Sequence, residues 1–386
     1  MKTAFTISLL FIYSLVNSQS NWVSVGPPVG DNFYSITTTP DSTYFAATFA
    51  PGKVYRSVDK GNTWIPIYTN SNYIFKAICF ISNQVGFIAG RSNTSSVLRT
   101  IDGGATWSNM TVPNINTLND IYFSNSNEGY AVGQYGTLLK SSNFGSNWSQ
   151  IPFPTNQHLW DMAHVGPDSI FLASASGIYR LNSNPPLVNI SSTSADGVDK
   201  GINDVFAIDD NNIIRFQNGQ GIGTRLASNP LSNMAIKSIL AVSDSLIFIA
   251  GQDRKIYSSQ DGGQTFILET TPVNQYFITD LKYLNGIVWA VGVSGTILRR
   301  QLTVGEKEHI KRANEARIYP NPAKDFIWIK SQKIIDEVRI MNINGQVILT
   351  SNHPKEKFDI SPLKTGIYFI QVVSSGLVST KKIIKH

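Results

Sequence analysis

Apolar positions along this chain fall in short runs separated by turn residues, and one such phrase returns repeatedly. It is an apolar strand, then small residues and Gly, then a second apolar strand. Copies stand at Phe87-Ile88-Ala89-Gly90, Tyr130-Ala131-Val132-Gly133, Phe171-Leu172-Ala173-Ser174, Phe248-Ile249-Ala250-Gly251 and Trp289-Ala290-Val291-Gly292. Tyr44-Phe45-Ala46-Ala47 is the first copy and Ile214-Arg215-Phe216 a degenerate one, which makes seven. One supersecondary unit recurring at a step of about forty residues predicts a stacked all-β repeat architecture.

Between these phrases lies an eight-residue motif: Ser57-Val58-Asp59-Lys60-Gly61-Asn62-Thr63-Trp64, and its counterparts beginning at Thr100, Ser141 and Ser259. Asp59, Asp102 and Asn143 are 43 and 41 residues apart, and Asp261 follows after 118, close to three more steps. A short Asp or Asn side chain bonds the backbone just ahead, Gly supplies a positive φ, and an aromatic anchor leaves the turn. The motif resembles the Asp-box, or BNR, repeat of sialidase-like propellers. That resemblance implies a structural role for Asp59, Asp102, Asn143 and Asp261, in the turn between the third and fourth strands of a blade.

The last phrase ends at Ile297-Leu298-Arg299 with no following strand. Asn21-Trp22-Val23-Ser24-Val25 matches the strands that follow the motifs, so the N-terminal strand is expected to complete the last blade and close the ring. The expectation is a seven-bladed β-propeller over residues 19–302. It resembles the family of photosystem II stability and assembly factors, which carries basic residues three positions before the motif acid. Here those positions hold Arg56, Arg99, Lys140, Arg180, Arg225, Ser258 and Arg299. They read either as a basic ring for an acidic partner or as a duplicated strand position.

The formal charge of +6 does not point to nucleic acid, because residues 303–386 hold 14 Lys and Arg against 8 Asp and Glu while the rest is balanced. Residues 1–18 read as a secretory signal peptide, with Lys2, an apolar run through Val16, and Asn17-Ser18 at a small-residue cleavage site. The run is too short for a spanning helix, and none is expected in the mature chain. Cys79 is the only cysteine, so no internal disulfide forms, and its apolar neighbours read it as a buried small hydrophobe.

After a charge-rich linker (303–317), residues 318–386 read as a small β-sandwich, with Asn344-Gly345 as a hairpin signal. Tyr319-Pro320-Asn321-Pro322, the stretch from Phe358 to Gly366-Ile367-Tyr368, and Ser379-Thr380-Lys381-Lys382 look like the C-terminal sorting domain of type IX secretion substrates. The resemblance implies recognition by the type IX translocon, passage through the periplasm, a fate at the cell surface or in the medium, and a source among the Bacteroidota.

Enzyme chemistry is sparse in the sequence. The propeller's only glutamates, Glu128 and Glu269, do not sit in a glycosidase-like setting. Asp120, Asp161, Asp204 and Asp280 share one repeat position, read as turn-ordering acids or as a ring round a channel. His158 and His164 flank Trp160 and Asp161 without a metal-ligand pattern, and no metal or cofactor is expected. Tyr34, Tyr73, Phe75, Trp160, Tyr276 and Phe277 lead into the innermost strands and suit a platform for a peptide or sugar at the propeller mouth. The sequence thus reads as an exported, non-catalytic recognition or scaffold propeller. A divergent glycan hydrolase and an envelope assembly factor are the alternatives.

Overall fold

The computed structural model describes residues 22–27, 29–93, 95–114, 116–123, 127–166, 169–182, 187–192, 194–209, 212–217, 223–226, 236–272, 277–307, 317–330, 335, 337–342, 346–352, 357–374 and 377–386. The segment read as a signal peptide, the Asn344-Gly345 turn and Tyr276 lie outside these. Within them, seven four-stranded antiparallel sheets follow one another in chain order. Their innermost strands are Phe33–Thr38, Ile74–Phe80, Leu118–Phe123, Leu159–Gly166, Ala195–Lys200, Ile236–Ala241 and Ile278–Leu284. Each touches the innermost strand of the next sheet, and the seventh touches the first, so the ring is closed. We number the sheets as blades 1 to 7 in that order.

Burial explains why the repeated phrase is continuously apolar. The second strand of each blade, such as Tyr44–Thr48 or Ile247–Gly251, is buried along nearly its whole length because a neighbouring blade covers each face. The outermost strands, by contrast, are as short as Ser108–Asn109 or Ile267–Leu268 and are exposed. Blade 7 is completed from the other end of the chain. Trp22–Ser24 pairs with Ile297–Gln301 in the register Trp22 to Arg300 and Ser24 to Leu298. Trp22 packs edge-on against Phe248 and donates its Nε1–H to Glu269, while Arg300 holds both Glu269 and Glu306, which is itself buried just past the last strand.

The four motif turns repeat one hydrogen-bond plan. Asp102 Oδ1 accepts from Thr100 Oγ1 at 2.8 Å and from Thr106 N at 2.9 Å, Oδ2 accepts from Thr106 Oγ1 at 2.5 Å, and Thr100 Oγ1 accepts from Gly104 N at 2.9 Å. Asp59 and Asp261 do the same, and Asn143 reproduces the part its amide oxygen allows. These donors hold Asp59 and Asp102 at a pKa of about 2. The last glycine of each turn is left-handed and meets the preceding blade: a Cβ on Gly61 would lie 2.6 Å from Trp289, and one on Gly145 2.3 Å from Phe87.

Blade 5 corrects the sequence reading. Ile214-Arg215-Phe216 belongs to its third strand, Asn212–Phe216, and the second strand is Val205–Asp209. The repeated basic position faces the second-strand aromatic: Phe45 pairs with Arg56, Phe87 with Arg99, Tyr130 with Lys140, Phe171 with Arg180, Trp289 with Arg299, and in blade 5 Phe206 with Arg215. Arg225 is instead on the exposed outer strand, bridged to Asp209. With no motif in this blade to mark the third strand's end, the spacing read from the sequence slips by one strand.

The tail forms a three-stranded sheet (Arg317–Tyr319, Phe326–Lys330, Lys357–Asp359) and a four-stranded one (Val347–Asn352, Glu337–Met341, Gly366–Ser374, Leu377–Lys385). Both supply one core, with Ile327, Ile329 and Phe358 from the first and Val338, Ile340, Ile370 and Ile383 from the second. The Tyr319–Pro322 motif has a mechanical role: Asn321 donates to Lys382 O and accepts from Ile384 N, both at 2.9 Å, pinning the last strand. The side chain of Tyr319 is exposed, as is that of Lys382.

Candidate functional site

Every innermost strand carries a bulge at the same place. The register slips between Phe33 and Ser35, Phe75 and Ala77, Leu118 and Asp120, Leu159 and Asp161, Ala195 and Gly197, Ile236 and Ser238, and Ile278 and Asp280. A bulge inserts one unpaired residue and re-aims its side chain. The seven inserted residues are Tyr34, Lys76, Asn119, Trp160, Asp196, Lys237 and Thr279, and all seven line a cavity of about 440 Å³ at the mouth of the central channel. Phe277, Gln252 and Lys282 complete its wall and floor.

The bulge is fastened from below. Asp161 accepts from Met162 N at 2.9 Å in its own blade and from Val198 N at 3.0 Å in the next. Asp199 bonds Lys200 N and Ala241 N, Asp120 its neighbour Ile121 N, and Leu281 N donates to Ser238 Oγ across blades 6 and 7. These are interblade clamps made of side chains. Asp204 is not among them, contrary to the sequence reading: it precedes the second strand of blade 5 and bridges Arg215, while Asp199 reaches across to blade 6 in the channel.

Lys282 lies beneath the mouth, half-buried and 3.7 Å from Asp280. Asp280, then Asp120, Asp161 and Asp199, hold its ammonium well above the ordinary range despite burial. Burial in turn pushes Asp280 up to about 6, and lifts Asp120, Asp161 and Asp199, with Asp120 adding its charge at Asp161. Among the described residues no three carboxylate, imidazole or thiolate groups converge as a metal site.

Of the aromatic residues expected at the mouth, Tyr34, Trp160 and Phe277 line it. Tyr73 and Phe75 do not: both are buried between blades 1 and 2, with Tyr73 Oη donating to Asn109. The error is one residue wide. Phe75 occupies the inward-packed position of Phe33, and Lys76 occupies the bulged position of Tyr34; a slip of one flips the side chain to another face. His158 packs against Trp160 and the exposed Tyr135, whereas His164 stacks on Tyr122, so the two histidines serve different surroundings. Several basic positions are engaged with turns: Arg299 donates to Lys60 O and Asn62 Oδ1 of blade 1, Arg99 to Ser146 Oγ of blade 3, and Lys140 bridges Glu128 of its own blade.

A closed seven-bladed propeller with a bulge-lined mouth, followed by a small sandwich, defines the class of protein. Known proteins sharpen it. Residues 317–386 match the secretion system C-terminal sorting domain family. The tail is therefore a sorting domain of that kind, and it directs export by type IX secretion to the cell surface or the medium. Residues 56–180 match the photosynthesis system II assembly factor YCF48 family. The solved structure of YCF48 bound to a D1 peptide superposes with a TM-score of 0.61 at 16% identity, covering 74% of this chain and 97% of that one. Virginiamycin B lyase from Staphylococcus aureus, in a catalytically inactive form with quinupristin, gives 0.64 at 12% identity over 73% and 99%. At such identities the likeness establishes the propeller fold. Beta-agarase D of Zobellia galactanivorans is 36% identical over 69 residues, which is 18% of this chain and only 14% of the agarase. No described helix is long and apolar enough to cross a membrane.

Proposed function

We propose that residues 19–302 form an exported recognition module that binds its ligand at the channel mouth without turning it over. Residues 1–18 serve as the secretory signal, 303–317 as the linker and 318–386 as the address. The observation that carries this reading is the bulge ring: seven blades aim seven side chains of mixed chemistry into one cavity of about 440 Å³, within the usual size of ligand sites. YCF48 and virginiamycin B lyase, each solved with a bound molecule, support the propeller as a scaffold for recognition. The channel carboxylates favour binding over hydrolysis, because Asp161 spends both oxygens, and Asp199 likewise, on backbone N–H groups of two blades. A basic ring for an assembly partner is less well supported, since Arg99 and Arg299 are committed to neighbouring turns.

The test is a glycan and peptide array probed with the secreted protein, reading both capture and released product. Capture without release, lost in Trp160→Ala, is the expected result. Released sugar would overturn the non-catalytic reading, and capture indifferent to Trp160→Ala would remove the mouth as the site.

A further inference from the structure

The bulge ring can be sorted by what each side chain already does. Thr279 donates to Phe33 O at 2.6 Å and Asn119 Nδ2 to Leu159 O at 2.7 Å, so both lace neighbouring blades together. Asp196 and Lys237 neutralise each other at 2.7 Å. Three bulged residues remain uncommitted to such bonds: Tyr34, Lys76 and Trp160. Tyr34 stacks on Phe49 at 4.6 Å between centroids, and the Lys76 ammonium sits 5.3 Å and 5.4 Å from the centres of those two rings. Among the described residues Lys76 has no carboxylate partner, although it is half-buried and its burial lowers the pKa. A desolvated ammonium held only by two π faces is short of one anion.

Trp160 lies two blades further round, backed by His158 at 5.1 Å, with Tyr135 beyond it. An indole face accepts the flat C–H face of a pyranose, and Gln252 adds an amide elsewhere on the cavity wall.

Resting on the recognition reading above, we infer that the mouth binds an acidic saccharide, one uronate-type carboxylate meeting Lys76 while its ring stacks toward Trp160. Specificity for the acid then lies in a single unpaired ammonium, and tolerance of the rest of the sugar in the aromatic wall.

Isothermal titration of the secreted protein with trigalacturonate, its methyl ester and triglutamate tests this, in the parent, Lys76→Met and Lys76→Arg. The acid is expected to bind roughly ten- to a hundredfold more tightly than the ester, the value of one charge-assisted hydrogen bond. Lys76→Met should abolish that preference and Lys76→Arg retain most of it, with melting temperatures unchanged in both. Equal binding of acid and ester, or a preference that survives Lys76→Met, overturns the inference while leaving the mouth as a recognition site. Lys76-dependent binding of triglutamate alone overturns the saccharide class. Binding of none of the three overturns the inference, and the array result with Trp160→Ala then decides whether the mouth itself stands.

Discussion

Two ends of each blade make an instructive comparison. At one end, the hairpin into the outer strand carries the Asp or Asn turn in blades 1, 2, 3 and 6, and its chemistry is nearly invariant: the same oxygen accepts from the same donors, and the same glycine seats on the preceding blade. At the other end, the bulge at the start of the innermost strand is equally regular in backbone, in all seven blades, yet holds Tyr, Lys, Asn, Trp, Asp, Lys and Thr. The first end repeats what builds the ring. The second keeps a fixed geometry and varies the side chain it presents, as expected of a surface that distinguishes ligands. The turn acids are depressed by hydrogen bonds near the surface; the channel acids are raised by burial.

This comparison can be broken from the building side first. Removing Trp22–Ser24 should unfold the propeller cooperatively at a much lower temperature, since blade 7 loses its outer strand; Trp22→Ala alone should cost about 3–5 kcal/mol by denaturant titration. Next, Gly145→Ala places a Cβ against Phe87 at φ +68, so the backbone strain alone should cost about 1–3 kcal/mol. Neither change touches the mouth, and ligand capture by the surviving folded fraction should be unaltered.

Acid and base sides of the stability profile should separate the two ends more finely. Asp59 and Asp102 have a folded pKa of about 2 against an ordinary 3.8, so their contribution is complete above 3.8 and lost as pH falls towards 2. Asp280 is raised to about 6, so the folded state takes its proton first, and stability declines as pH rises from 3.8 through 6. Melting temperature against pH should therefore show a shallower acid limb in Asp102→Asn, with Asp59 keeping its share. In Asp280→Asn it should flatten between pH 4 and 6.

The smallest stability effect is expected at the mouth. Trp160→Ala should shift the melting temperature little, because the indole is only half-buried, while removing capture on the array.

Much of the building end is legible in the sequence. Asp59-Lys60-Gly61 and its copies announce their turn through residues that only that turn requires, and Trp22 can be matched to Trp64 and Trp107. The mouth is only partly legible, for a physical reason. A bulge is defined by register, not by residue type, so different side chains at one position leave no pattern to find. Residue type alone therefore points to Phe75 rather than its neighbour Lys76, and passes over Asn119, Asp196, Lys237 and Thr279 as well. Where blade 5 lacks its motif, the register is lost too, and Arg225 and Asp204 stand in for Arg215 and Asp199.

The most direct test of a mouth that recognises on a ring that merely holds is one measurement on one variant. Tyr34→Ser, Lys76→Ser and Trp160→Ser combined should leave the secreted protein melting within a few degrees of the parent and silent on every array feature the parent captures. A triple variant that captures the same ligands as the parent would place recognition elsewhere on the propeller.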